Sequence, residues 1–251
     1  MKFQFYILII LILTSCSSNR KSKLTIAAAA NIQFAIKDII QAFEKEHQIK
    51  TDLVIGSSGK LTAQIEQGAP YSVFLSADKK YPNALFKSKK AIQKPTIYAK
   101  GKLAVWTVKE LKINDLNDIL DSGFKKIAIA NPKTAPYGNE AKNALIHYGI
   151  WEKIESKLVF GENIAQTNQY IFSGSCDAGI TAMSTKFAKT VNHQGSWVEL
   201  NAESYSPIEQ GVVITTFGNE NHSKETKLFY DFLFSPTAKS IFADYGYHVE
   251  F

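Results

Sequence analysis

The stretch Thr51–Gln67, TDLVIGSSGKLTAQIEQ, changes character in its middle. A short apolar run ends in Gly56-Ser-Ser-Gly59, and a segment of helical composition, Lys60–Gln67, follows. A strand that gives way to a helix through small hydroxyl residues leaves the first backbone N–H groups of that helix unpaired, facing whatever lies beyond the strand. The stretch is not a nucleotide loop. The phosphate-loop template requires glycine where Val54 stands and Ser or Thr where Leu61 stands. Two readings remain: either Ser57 or Ser58 simply caps the helix, or the turn is an anion cradle without nucleotide machinery.

The same unit recurs along the chain. LTIAAA precedes a helical pattern with Phe34, Ile36, Ile39, Ile40 and Phe43 on one face; SVFLS precedes KKYPNALFKS; IAIA precedes GNEAKNALIHYG; KLVF precedes IAQTNQYIFSG; AGIT precedes a short helix. Brief, nearly all-apolar strands alternating with amphipathic helices predict an α/β fold with buried, mostly parallel sheets. Ligands of such sheets sit at the carboxyl ends of the strands. The turns there, AAAAN (27–31), GSSG (56–59), NPKTAPYGN (131–139) and GENIAQ (161–166), offer small or neutral polar groups and no closely spaced carboxylate pair. Asn31 can cap a helix through its side-chain oxygen while its amide N–H groups donate to a ligand. Five histidines, at 47, 147, 193, 222 and 248, are too dispersed for metal-ligand spacing.

A 45% apolar composition over 251 residues supports a globular core, and the formal charge of +6 is scattered rather than gathered into a basic, aromatic-interleaved face. That pattern argues against a nucleic-acid partner. Lys2, the apolar run FYILIILIL and Leu13-Thr-Ser-Cys16 read as a lipoprotein signal peptide over 1–15, too short to span a bilayer. Cys16 is then the lipidated first residue of a polar linker, 16–23, that tethers the protein outside the cytoplasm. Cys176 is the other cysteine, so the mature chain has no disulfide scaffold.

With LTIAAAANI, SSGKLTAQIEQGAP followed by VFLSADKKY, NPKTAPYGNEAKNAL and IFADYGYHV in hand, the chain resembles the periplasmic molybdate-binding proteins of molybdate ABC transporters over almost its whole mature length. The resemblance implies a two-lobed type II periplasmic binding protein fold, each lobe a mostly parallel sheet flanked by helices. Lobe I would comprise 24–101 plus 207–251 and lobe II 102–206, with hinge crossings near Lys100-Gly-Lys102 and Ser206-Pro207. It implies no enzymatic activity and no cofactor. A monomer would capture molybdate, and tungstate with it, and deliver it to a membrane permease. Ligand contacts carry over to Asn31, Ser58, Tyr137 and Ile164, with Ala30 and Gly59 as secondary candidates, and with no direct metal-cation ligand. Two positions depart from the family: Ala182 stands where many members place a ligand tyrosine, a loss the Tyr137 hydroxyl could offset, and Ser72 stands where Asp is common. Those departures keep a second reading open, a receptor for another tetrahedral oxyanion such as sulfate. A serine hydrolase built on Ser58 is the alternative from another class, weakened because GSSG is not a nucleophile elbow and no turn supplies a histidine.

Overall fold

The computed structural model describes residues 23–250; the signal peptide and Cys16 lie outside them. The first sheet contains β1 (Leu24–Ala29), β2 (Thr51–Gly56), β3 (Val73–Leu75), β4 (Thr96–Gly101) and, from much later in the chain, a fifth strand, Ile208–Ile214. The second contains β5 (Leu103–Thr107), β6 (Ile127–Ala130), β7 (Leu158–Gly161), β8 (Ala178–Ala182) and β9 (Ser196–Glu199), which makes the late strand of the first sheet β10. Their orders are β2-β1-β3-β10-β4 and β7-β6-β8-β5-β9. The chain thus passes from one sheet to the other at Lys102 and returns between Glu199 and Ile208.

Both sheets follow one plan. Three parallel strands come first, and the fourth strand, β10 or β5, pairs antiparallel with its neighbours on both sides. The strands readable from composition are the parallel ones. The antiparallel pairings escape that reading because their partners are distant in sequence and bring no crossover helix with them.

Helices α1 (Gln33–His47), α2 (Ser58–Glu66) and α3 (Lys80–Lys87) cover the first sheet; α4 (Pro136–His147), the short α5 (Trp151–Ile154) and α6 (Ile164–Phe172) cover the second. The chain ends in α7 (Thr216–Asn221), α8 (Ser223–Phe232) and α9 (Pro236–Asp244) on the first. Helix α1 buries Ala35, Ile36, Ile39 and Phe43 at helical spacing and stops at Gln48, whose left-handed φ of 56° lets its N–H close on the Glu44 carbonyl. Phe43 meets Phe229 edge-on at 5.1 Å and Phe232 at 5.5 Å, locking the C-terminal helices onto the sheet. Each such fully buried aromatic contributes about 1.5–3 kcal/mol of transfer free energy. In the second lobe, Trp106 of β5 and Trp197 of β9 face each other in register and stack at 4.5 Å, and both indole N–H groups donate to the Gln194 carbonyl. Trp151, on α5 of the same lobe, lies under the Lys142 ammonium at 4.9 Å.

Candidate anion-binding cleft

In both lobes the carboxyl ends of the parallel strands face the same cleft, which therefore collects the starts of α2, α4 and α6. Its walls are Ala29, Ala30, Asn31, Gly56, Ser57, Ser58 and Ala77 from the first lobe, with Ala135, Pro136, Tyr137, Asn163 and Ile164 from the second. None of these carries a formal charge. The space they enclose is small, about 10 Å³, roughly the room one water takes.

Ser57 is the N-cap of α2, its Oγ accepting the Lys60 N–H at 3.4 Å. Ser58, the first helical residue, is fully buried; its Oγ accepts the Ala77 N–H at 3.0 Å, which leaves its own proton to donate into the cleft. The cap of the GSSG turn is thus Ser57, while Ser58 is turned to the Ala77 N–H. The N–H of Gly59 is not such a donor. It bonds the Thr134 carbonyl of the other lobe at 2.9 Å, so it serves closure in this arrangement. Gly59 also permits that approach, since a Cβ there would lie 2.8 Å from the Tyr81 hydroxyl and 3.0 Å from the Thr134 carbonyl oxygen.

On the second lobe, Pro136 opens α4, where its missing N–H costs nothing, and Tyr137 follows with an N–H that has no intrahelical partner. The Tyr137 side chain turns away from this role. Its hydroxyl lies 3.4 Å from Gln210 Nε2 and fills the space beside Gly101, where a Cβ would overlap it. A hydroxyl so placed packs against the first crossing and also meets the Asn31 side chain. Ala182 itself is buried at the end of β8, packed in the second lobe's core. Asn163 caps α6 by accepting the Gln166 N–H at 3.1 Å, which leaves the N–H of Ile164 unpaired. The Ile164 side chain is buried in the core behind. Ala30 lines the cleft with a methyl group and can contribute only through its backbone.

Asn31 is 3% exposed and sits where several chains of bonds meet. Its main-chain carbonyl oxygen accepts from the Tyr247 hydroxyl at 2.8 Å and from the Ser184 hydroxyl at 3.2 Å, the second of these from the opposite lobe. Its Nδ2 donates to Gln210 Oε1 at 2.8 Å, and Tyr98 donates to the same oxygen at 2.9 Å. Burial pushes the Tyr98, Tyr137 and Tyr247 hydroxyls well above the usual tyrosine range, so all three keep their protons. At the mouth of the cleft Lys60 Nζ pairs with Glu162 Oε1 across the lobes at 2.8 Å, both half exposed.

Several residues of this site were not singled out in sequence. Gln210, Tyr98, Tyr247 and Ser184 support Asn31 from distant segments, and only Gln210 left a signal, a fully buried amide between Glu209 and the apolar GVVI half of the strand. Ser72 is fully buried with an Oγ that has no partner, and it lies away from the cleft, its backbone carbonyl accepting from Thr215. Cys176 packs in an apolar cluster with Trp106 and Ile171, and burial pushes its thiol up. Among the described residues no group of three or more His, Cys, Asp or Glu is placed to hold a metal ion. No histidine or carboxylate lines the cleft, so Ser58 has no general base beside it.

What this arrangement can do is surround an anion with neutral donors. Three helix starts and the Ser58 hydroxyl bring hydrogen-bond donors without a cation.

Residues 24–248 match the family described as bacterial extracellular solute-binding proteins. Among similar proteins is a molybdate-binding protein of Azotobacter vinelandii, 35% identical over 240 residues that cover 95% of this chain and 94% of the relative. A putative ABC transporter substrate-binding lipoprotein of Bacillus subtilis is 32% identical, covering 96% and 94%. The solved structure of the Azotobacter vinelandii periplasmic molybdate-binding protein superposes with a TM-score of 0.86 at 30% identity, over 91% of this chain and 100% of that one. The two mixed sheets, flanked by helices and joined by two crossings, have the type II periplasmic binding protein fold, and the chain belongs to the bacterial extracellular solute-binding protein family.

Proposed function

We propose that the protein is the extracytoplasmic receptor of an ABC importer for molybdate, and for tungstate, which has the same charge and shape. The carrying observation is that the cleft wall offers donors from both lobes and no charged side chain. A fully deprotonated tetrahedral dianion needs donors only. Phosphate near neutral pH retains protons that require an acceptor. Hydrogen bonds to a charged group contribute about 1.5–3 kcal/mol each, so a handful gives submicromolar binding after the costs of ordering and closure.

In this reading Ser58 donates through its hydroxyl and its backbone N–H, Asn31 through its side-chain amide, and Tyr137 and Ile164 through backbone N–H groups. Lobe I is 24–101 with 207–251 and lobe II is 102–206. The lobes part to admit the anion and close on it, and the monomer hands its cargo to the permease. Cys16 carries the lipid that holds the protein at the membrane; the lipoprotein relative in Bacillus subtilis supports this part.

Calorimetric titration of the purified protein with molybdate, tungstate, sulfate and phosphate tests the reading. Submicromolar molybdate and tungstate binding is expected, with sulfate at least about a hundredfold weaker on cavity size. Sulfate binding tighter than molybdate would move the protein to the sulfate reading, and no binding of any of the four would overturn the receptor role.

A further inference from the structure

One group in this donor-lined cleft is of the wrong kind. Asn31 gives its Nδ2 to Gln210 Oε1, which leaves Oδ1, a buried acceptor with no partner, as the other end of the amide in the cleft wall. An unpaired buried acceptor is costly by itself, and it would repel an anion that is all acceptor. The amide behind it explains how the fault is corrected.

We propose that Gln210 is a specificity-determining positioning residue: it sets which end of the Asn31 amide faces the anion, and the two amides turn over together when the anion binds. The assignment rests on the oxyanion reading above. Turned over, Gln210 Nε2 occupies the position now held by Oε1, 2.8 Å from the Asn31 amide and 2.9 Å from the Tyr98 hydroxyl. Its two N–H groups then go to Asn31 Oδ1 and to the Tyr98 oxygen. Tyr98 keeps its own proton for the Ser76 carbonyl, 3.1 Å away. Gln210 Oε1 moves to the place of Nε2 beside the Tyr137 hydroxyl, which donates to it. Every member of the network is then paired, and Asn31 Nδ2 is released to donate into the cleft. The present arrangement leaves Oδ1 unpaired and Tyr98 with two acceptors for one proton.

A side chain that only fills space would not carry this polarity. Gln210 lies in β10, just after the second crossing and next to the irregularity in register at Gln210/Gly211, and it touches Tyr137 of the opposite lobe. Setting of the donor and closing of the lobes are therefore joined at one residue.

The test compares Q210E with Q210M. A carboxylate at 210 only accepts, so it holds Asn31 Nδ2 and fixes Oδ1 toward the cleft; methionine of similar length fixes neither end. Titration with molybdate and with inorganic phosphate near pH 6, where phosphate is protonated, should show molybdate affinity lowered at least about a hundredfold in Q210E and about tenfold in Q210M. The molybdate-to-phosphate ratio should narrow at least about tenfold in Q210E alone. Equal ratios in the two variants, or affinities within about threefold of wild type, overturn the assignment. Should neither variant fold, the ¹⁵N side-chain amide signals of the wild type decide. Signals of both Asn31 and Gln210 should move at saturating molybdate, and a stationary Gln210 signal overturns the proposal. Failure of the wild type to bind any oxyanion overturns the functional reading itself and this assignment with it.

Discussion

On the wall built by the first sheet, Asn31, Ser57 and Ser58 line the cleft with polar side chains. On the wall built by the second, Tyr137 and Ile164 bury their side chains and leave main-chain N–H groups at the helix starts, and the one further polar side chain, Asn163, is engaged in capping α6. The difference teaches where selectivity is written. Side-chain donors change with single substitutions, so the first wall is open to tuning. Backbone donors survive almost any replacement, so the second is a fixed frame that needs only the helix start to be kept.

The largest effect should come from the first wall. On the proposed function, Ser58→Ala removes a donor to the anion and should weaken molybdate binding by about ten- to more than a hundredfold, measured as the ratio of dissociation constants. It also strips the Ala77 N–H of its acceptor, so a thermal melt of the same sample must show the fold retained. A silent Ser58→Ala would erase the distinction between the walls.

For the second wall the informative change is to the backbone. Asn163 is extended (φ −155°, ψ −179°) and Ile164 is the first residue of α6, so proline at 164 is compatible with the helix while it deletes the N–H. Ile164→Pro should cost at least about tenfold in affinity, whereas Ile164→Val, which keeps the N–H, should stay within about threefold. Equal losses from the two would mean that the side chain matters and the frame does not.

The lobes also invite comparison at their far ends, where the parallel strands begin. Glu44 holds the start of β2, accepting from the Thr51 N–H at 2.8 Å and pairing with Lys50; Lys50 and that N–H keep its carboxyl below the usual range. Asp177 does the same for the second lobe, accepting from the Lys125 and Lys126 N–H groups at 2.7 and 2.8 Å and pairing with Lys109. Burial alone would raise its carboxyl, and those three contacts outweigh it and lower it. A depressed folded pKa gives stability that is present above the unfolded value, near 4, and is lost as pH falls through the folded value. Asp177→Asn should therefore cost about 1–3 kcal/mol near neutrality and progressively less toward pH 3 in urea titrations, and Glu44→Gln should behave likewise. A cost in either variant that does not change with pH would remove the carboxylate's charge from the explanation.

The smallest effect belongs to Lys60. Its pairing with Glu162 spans the mouth of the cleft with both partners half exposed, and exposed pairs contribute about 0–1 kcal/mol and weaken with salt. Lys60→Ala should change molybdate affinity by less than about threefold at physiological ionic strength. A larger loss would make closure at the mouth, rather than donors in the wall, the main source of affinity.

Sequence made the first wall more legible than the second. The alternation of short apolar strands with amphipathic helices marked the parallel half of each sheet, and the helix starts among small polar residues marked the cleft. Capping residue types announced the helix starts at Asn31 and Ser58 but not which residue caps: the Asn31 Oδ1 has no partner, α1 begins after Ile32 with no side-chain cap, and Ser57 caps α2. For Tyr137 and Ile164 sequence placed the helix start but not the direction of the side chain. The second tier, Gln210, Tyr98, Tyr247 and Ser184, comes together only through antiparallel strands and a C-terminal tail. No local spacing encodes those pairings.

The stacked pair Trp106 and Trp197, together with Trp151, accounts for every tryptophan in the chain, and all three stand in the second lobe. Tryptophan emission is therefore a private channel to one half of the molecule, while far-ultraviolet dichroism sees the helices of both. If the two optical transitions coincide in a urea titration, the lobes melt as a single cooperative unit. If the emission lags or leads, the crossings at Lys102 and before Ile208 are weak enough for each lobe to keep its own stability.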